Sequence, residues 1–325
     1  MPKQEHITLG RESYLIQEKR PYSQRLELLY LESPEDKKRY VALHILKQAD
    51  LSSFQKDVQR ETEIQQFLLK GYKGKVNLPV RKFYKSGYIL TPYAGEQLDE
   101  KFYSSLSPLA QQKIQQELAE FLNYSHQKSL EHAALLPNLP FKEDIGKTPA
   151  TLLDAHIKQN LESIVQTFAP FASPALKKHL RSVVQQFNTR DTSDEISVLV
   201  HNDLCGSNVL YDHKKKGLSI IDYEAAFIGD IYNDFCHFGG PVFPKGFTEG
   251  VITKYNALTK ASKHPCPISI DKLNLFMEIA ILNNQACWIK DWGRSPEEAF
   301  KMYLAKRKAL MPTPQPNPNK EKGII

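Results

Sequence analysis

No two of the four cysteines, Cys205, Cys236, Cys266 and Cys287, form a CxxC pair, and all four lie far apart in the chain. That spacing excludes a zinc ribbon and a dense disulfide framework, and reduced thiols in a cytosol are the expectation. No uninterrupted apolar run approaches the ~20 residues of a membrane span. The opening Met1-Pro2-Lys3-Gln4-Glu5-His6 is polar where a secretory signal would be apolar, so a soluble, cytoplasmic protein is expected. The glycine loops GxGxxG and GxxxxGK[ST] are both missing, which argues against Rossmann and P-loop folds. No internal repeat is visible. Charge of one sign is also scarce. The 43 Lys and Arg exceed the 37 Asp and Glu by only +6 and are scattered, which suggests a weak preference for anionic ligands and no nucleic-acid footprint. What the chain has is ordinary: with 41% hydrophobic and 25% charged residues, 325 residues suffice for one large or two small domains with a sizeable core.

Segments 14–19, 25–32 and 40–46 are rich in Val, Ile, Leu and Tyr and are separated by 20–24 and 33–38, whose Pro, Ser and Asp mark turns. They predict an antiparallel meander. From 52 to 69, Phe54, Val58, Ile64, Phe67 and Leu68 recur at helical spacing, and residues 82–84 and 88–91 predict a hairpin around Ser86-Gly87. After Gly95 the pattern turns helical, over 109–130, 152–168, 174–187, 247–259 and 272–310. One β-like island interrupts the helices, 197–200 through 208–211 to 218–222. The proline-rich end from Met311 onward is expected to fray.

The informative stretch is His201-Asn202-Asp203-Leu204-Cys205-Gly206-Ser207-Asn208, followed by Ile220-Ile221-Asp222-Tyr223-Glu224. An Asp five residues before an Asn, with a second Asp ending an apolar strand downstream, is the arrangement that phosphoryl transfer from ATP requires. One carboxylate, Asp203, orients the attacking hydroxyl; the Asn208 amide and the Asp222 carboxylate hold the Mg2+ that bridges the phosphates. Each residue alone would read as a turn or cap residue, since Asp and Asn favour turns. Their order on a strand–loop–strand island is what points to chemistry.

At these residues the sequence resembles the protein-kinase-like small-molecule kinases, the aminoglycoside phosphotransferase and choline/ethanolamine kinase superfamily. The family pattern is His-x-Asp-Leu, then Asn, then an apolar strand ending in Asp-Tyr/Phe-Glu; here it is His201, Asp203, Leu204, Asn208, Asp222, Tyr223 and Glu224. The His-Asn-Asp-Leu form looks more like the choline/ethanolamine branch. In Gly229-Asp230-Ile231-Tyr232-Asn233-Asp234-Phe235, Asp234 fits the aspartate that buttresses the catalytic loop beside His201, with Asp230 an alternative. The resemblance covers about 14–308 and implies an α+β, bilobal protein-kinase-like fold. Its β-rich N-lobe, 1–93, would bind ATP; a mainly helical lobe, 94–310, would carry catalysis and substrate; 311–325 would be a flexible tail.

Such kinases carry a Lys or Arg on the third strand that contacts the ATP phosphates and pairs with a helix Glu. Val41-Ala42-Leu43-His44-Ile45 puts His44 at that position, and Glu61, or else Glu63, falls where the helix partner belongs. Lys47 is the alternative cation, but an odd separation from His44 puts the two on opposite faces of an ideal strand. Thr91 and Tyr93 sit at the lobe boundary, where related kinases meet adenine, and Ser23 sits in the turn expected over the phosphates. For the acceptor, Trp288 and Trp292 stand at i and i+4, where late-helix aromatics of choline kinases surround a quaternary ammonium; core packing is the competing reading. Glu224 and Tyr232 are further acceptor candidates, while Lys290 would oppose a polycationic aminoglycoside. The expected reaction moves the γ-phosphoryl group of ATP, with Mg2+, to a small-molecule hydroxyl, a choline- or ethanolamine-like amino alcohol first. An aminoglycoside, a sugar or a protein hydroxyl are the alternatives, and a nucleotide-binding pseudokinase is the reading that His44 motivates.

Overall fold

A computed structural model describes residues 5–21, 26–47, 51–139, 150–190, 196–236 and 246–310. Strands β1 (His6–Leu9), β2 (Glu12–Pro21), β3 (Leu26–Glu32), β4 (Arg39–Ile45), β5 (Lys82–Tyr84) and β6 (Tyr88–Pro92) form one antiparallel sheet in the order β1-β2-β3-β4-β6-β5. The meander and the hairpin at Gly87 appear as the sequence predicts; β1, too short to declare itself by alternation, adds an edge strand. Period-two alternation divides the sheet faces. Leu29, Leu31, Ala42 and Leu90 pack with Tyr14 and Tyr84 on one side, while Leu43, Ile45, Phe83 and Ile89 turn to the other.

Helix α1 (Leu51–Leu69) follows β4. Phe54 and Val58 meet the sheet, and Ile64 and Leu68, about two and three turns on from Val58, enter the large core of the helical part. The segment after α1 is bound below as well, since Asn77 N–H donates to Leu218 O and Asn77 O accepts from Ile220 N–H. At the end of the helix, the Tyr124 hydroxyl and the Lys128 ammonium donate to the carbonyls of Leu68 and Lys70, so the larger lobe caps α1.

The crossing between the two parts runs through Gly95 into β7 (Glu96–Gln97), which pairs with β9 (Val209–Asp212). Gly95 has φ +126°, and a Cβ there would lie 2.4 Å from the Tyr211 carbonyl carbon, so no other residue fits without moving the backbone. Beyond it come α2 (Glu100–Ser105) and α3 (Pro108–Glu131), capped by Asp99 and Ser107 side chains that accept from Phe102 and Ala110 N–H. Next are α4 (Ala150–Phe168), α5 (Pro174–Asn188), the β island, and α7 (Phe247–Lys260), α8 (Ile270–Trp292) and α9 (Pro296–Leu310). The helix expected over 272–310 is two helices, because Gly293 takes the left-handed conformation that stops α8 and Pro296 starts α9. Helices α4, α5, α8 and α9 pack on a second core around Phe168, Leu180, Phe187, Leu282 and Tyr303. Among the described residues no helix is long and apolar enough to cross a membrane. The tail 311–325 lies outside the described residues.

Candidate active site

The island is two antiparallel pairs: β8 (Ser197–Val200) with β11 (Phe227–Asp230), and β9 with β10 (Gly217–Ile220). Loop 201–208 leaves β8 and the turn at Tyr223–Ala225 follows β10; Ile221 N–H donating to Asn208 O ties the two together. His201 strengthens the tie. Its Nε2 donates to Ile221 O at 2.8 Å, and its Nδ1 accepts from Asp203 N–H at 3.3 Å.

Asp234, in the short helix α6 (Tyr232–Phe235), sits beneath the loop and is 2% exposed. Its Oδ1 accepts from the backbone N–H groups of His201 (2.7 Å) and Asn202 (3.2 Å), and its Oδ2 meets Nε2 of the fully buried His126 at 3.1 Å. Asp230, the alternative buttress, instead accepts from Tyr232 N–H. With its N–H so held, Asn202 adopts φ +62°, and Asp222 adopts φ +71°; Asn and Asp tolerate that region best among residues with a Cβ.

The Asn208 amide donates to Asp203 O (2.8 Å) and to Asp203 Oδ2 (2.9 Å), fixing the carboxylate. Because Asn208 Nδ2 is spent this way, its carbonyl oxygen is the end left for a cation. Asp222 is placed by Glu61 of α1, 1% exposed, whose Oε1 accepts from both Asp222 N–H (2.9 Å) and Tyr223 N–H (3.0 Å). The other Glu61 oxygen pairs with Arg81 at 3.1 Å, and Arg81 also reaches Asp222 Oδ1 at 3.4 Å. Burial pushes the Glu61 carboxyl up and Arg81 draws it back. Burial works against the charge of Arg81, but Glu61, Asp222 and Glu224 hold it a cation. The nearby Cys205 thiol is pushed up by burial and then by Asp203.

Asp203, Asn208, Asp222 and Arg81 share the wall of one cleft of about 710 Å³, roofed by Leu28, Tyr30, Val41 and Leu43 of the sheet and closed behind by Thr91, Pro92, Tyr93 and Ala94. The size and the apolar roof suit a nucleotide. Tyr93 N–H donates to Arg39 O, and Arg39 covers the Tyr93 ring at 3.9 Å, so that ring is held on the cleft wall. One amide oxygen and one carboxylate are hard donors that fit Mg2+, which leans on water and phosphate for its remaining ligands. Among the described residues no group of three or more His, Cys, Asp and Glu side chains forms a metal cage.

Two expectations about the phosphate contact need correction. His44 lies on the sheet face opposite the cleft, where it meets Glu27 at 3.5 Å and stacks on Tyr88 at 4.2 Å. On β4 the residues that look into the cleft are Val41 and Leu43, so the register expected for His44 is off by one residue, which in a strand reverses the face. Lys47 is exposed beyond the strand end and is not part of the cleft wall. Ser23 lies outside the described residues. Glu63 is an exposed helix residue that accepts from Gln59 and is not part of the cleft wall.

On the other side of Asp203 a smaller cavity of about 250 Å³ is lined by Asn202, Asp230, Asn233, Asn283 and Asn284, with Arg190, Phe187 and Phe276. Among the described residues no tryptophan lines this cavity. Trp288 is absent from the lining, and its ring carries Arg294 at 4.5 Å and Lys306 at 4.8 Å. The side chain of Trp292 lies outside the described residues. Tyr232 is buried, stacked on Phe276, and its hydroxyl accepts from Ser269 N–H, which makes it a support of the cavity wall. Glu224 is half-buried in the turn after Asp222, and its charge acts on Arg81. The sequence reading missed Arg81 and His126, whose parts are set by partners 141 and 108 residues away.

Residues 32–260 match the family described as the phosphotransferase enzyme family. No curated protein matches the chain. Among solved structures, the chain is similar to a streptomycin–ATP ternary complex of APH(2″)-IIa, at 16% identity over 91% of this chain and 94% of the other, with a TM-score of 0.58. It is also similar to the choline kinase LicA from Streptococcus pneumoniae (15% identity, 94% and 94% covered, TM-score 0.53). A third is an ethanolamine kinase of Plasmodium vivax (14%, 91% and 82% covered, TM-score 0.56). At these identities the likeness is one of fold: a curled antiparallel sheet set on a helical lobe.

Proposed function

The chain belongs to the phosphotransferase enzyme family, and on that premise we propose that it transfers the γ-phosphoryl group of ATP to a hydroxyl of a small molecule. Residues 1–93 would form the nucleotide lobe and 94–310 the lobe for catalysis and acceptor. The observation that carries the reading is that Asp203 lines both cavities while the Asn208 amide fixes its carboxylate. Asp203 would accept the hydrogen bond of the acceptor hydroxyl, orient its lone pair toward the nucleotide side and take its proton as the new bond forms. Asn208 and Asp222 would hold Mg2+. When bound, magnesium neutralises the developing charge on the phosphate oxygens. Glu61 and Asp234 keep these groups in place from behind, so little reorganisation is needed at the moment of transfer.

The acceptor cavity favours hydroxyls over a quaternary ammonium. Four asparagine side chains line it, and each amide both donates and accepts, as a polyol or sugar requires. The faces of Phe187 and Phe276 that could attract a cation already carry Arg190, at 4.0 and 5.7 Å. A polyhydroxylated acceptor is therefore the first choice. A choline- or ethanolamine-like amino alcohol comes second, its ammonium directed to Asp230. The test is a panel of sugars, amino alcohols and aminoglycosides incubated with Mg-ATP and read by phosphorus NMR. Asp203→Asn should abolish product while still binding Mg-ATP. A wild-type chain that binds nucleotide but modifies no acceptor and hydrolyses no ATP would favour the pseudokinase, and an active Asp203→Asn would remove Asp203 from the chemistry.

A further inference from the structure

A nucleotide triphosphate brings several negative charges into a cleft whose floor already holds Asp203 and Asp222, so the cleft needs a cation that does not leave with the substrate. Strand β4 does not supply it: the residues it turns to the cleft are Val41 and Leu43. Of the described residues on the cleft wall only Arg20 and Arg81 are cationic. Arg20 is 58% exposed at the cleft mouth and already paired with Glu18 in the same strand. Arg81 comes from the segment just ahead of β5, is 14% exposed, and sits against the metal-side carboxylate Asp222 and the buried Glu61.

Deepening the phosphotransferase reading and resting on it, we propose that Arg81 is the phosphate-binding cation of this enzyme, delivered from the segment before β5 in place of a strand residue and anchored by Glu61. The geometry explains the unusual work of Glu61. One of its oxygens positions the Asp222 and Tyr223 backbone while the other holds Arg81, so one buried carboxylate sets both the metal ligand and the cation relative to each other. A guanidinium has five N–H donors in a plane; the contacts to Glu61 and Asp222 run through one terminal nitrogen, which leaves the rest of the fork to meet phosphate oxygens. A divalent cation held by Asp222 would compete with the longer, 3.4 Å contact to that carboxylate, and Glu61 would still keep Arg81 in the cleft.

The test compares the affinities of the full chain for Mg-ATP and for adenosine, by calorimetry. Arg81→Lys, and the paired substitution Arg81→Gln with Glu61→Gln that leaves no unpaired buried charge, should lower Mg-ATP affinity. The loss should be at least tenfold in the paired variant and smaller in Arg81→Lys, with adenosine affinity unchanged in both. His44→Ala and Lys47→Ala should bind both ligands as wild type does. Adenosine binding reports that the variants are folded. An unchanged Mg-ATP to adenosine ratio in the paired variant overturns the proposal, as does a ratio that collapses in His44→Ala or Lys47→Ala. A wild-type chain with no preference for Mg-ATP over adenosine overturns the phosphotransferase reading, and this proposal with it.

Discussion

Removing the Asp234 carboxylate should loosen the catalytic loop before it unfolds the protein. Three donors converge on that side chain: His201 N–H, Asn202 N–H and the ring of His126. In Asp234→Ala they lose their acceptor in a place closed to water, since His126 is fully buried and His201 is 4% exposed. A buried donor left unmet costs about 1–3 kcal/mol. Two such donors count in full, the half-buried Asn202 counts in part, and removing a buried charge returns some of the loss, so the sum is about 3–5 kcal/mol. Asp234→Asn keeps the oxygen that serves the backbone and places an amide against His126. The ring can meet it by accepting at Nε2 and donating from Nδ1 to the Tyr255 hydroxyl, 2.9 Å away, which in turn has Cys266 Sγ at 3.1 Å. That variant should lose only about 1 kcal/mol. Urea unfolding measures both losses. In the same variants kcat should fall about a hundredfold for Ala, the scale of a small misplacement of a reacting group, while KM for Mg-ATP holds. An Asp234→Ala protein within about 0.5 kcal/mol of wild type, the range of ordinary surface changes, would refute the reasoning. Equal losses in Ala and Asn would refute it too.

Gly95→Ala should lower stability by about 3 kcal/mol or more, because its Cβ meets backbone that no rotamer change can move and its φ is unfavourable as well. Gly293→Ala, also at positive φ but with nothing near its Cβ, should cost only about 1–2 kcal/mol, and thermal unfolding of the pair separates crowding from conformation. Lys128→Met should cost about 1–3 kcal/mol, since two carbonyls lose a donor and the single Tyr124 proton can serve only one of them in full. Burial draws the Lys128 ammonium below its ordinary value of 10.5. The unfolded chain then binds the proton more tightly, so wild type should gain stability over Lys128→Met as pH rises toward that value, in denaturation curves taken across alkaline pH.

The residues of the catalytic loop could be read because they are neighbours in sequence and because their chemistry admits few substitutes. Asp203 and Asn208 fix each other across five residues, and Asp222 follows the adjoining strand two residues past its end. Runs of apolar residues likewise announce β2 to β4, and apolar residues at helical spacing announce α1. The misplaced residues are those whose meaning depends on register or on distant packing. His44 was one position from the face that looks into the cleft, and period two makes a slip of one as large an error as possible. Trp288 and Trp292 share a helix face by spacing, but spacing does not say what that face meets, and at Trp288 it meets Arg294 and Lys306. Arg81 follows Pro79-Val80 with no periodic pattern to single it out, and only the fold brings it to Glu61.

Helix α1 belongs to the sheet by sequence and to the helical lobe by attachment. Its final carbonyls are held by Tyr124 and Lys128, its lower half lies in the large core, and Glu61 is bonded to Asp222 and Tyr223, whereas upward it offers mainly Phe54 and Val58 to the strands. A displacement of the strands relative to α1 would therefore disturb the apolar contacts of Phe54 and Val58 and leave those polar ones in place. The strands would rock over α1 like a lid on a fixed rim, pinned at one edge by the tight passage at Gly95. Glu61, Arg81 and Asp222 stand on the rim side. A nucleotide could come and go through the tilting of the strands alone, and the charged apparatus would stay assembled between one visit and the next.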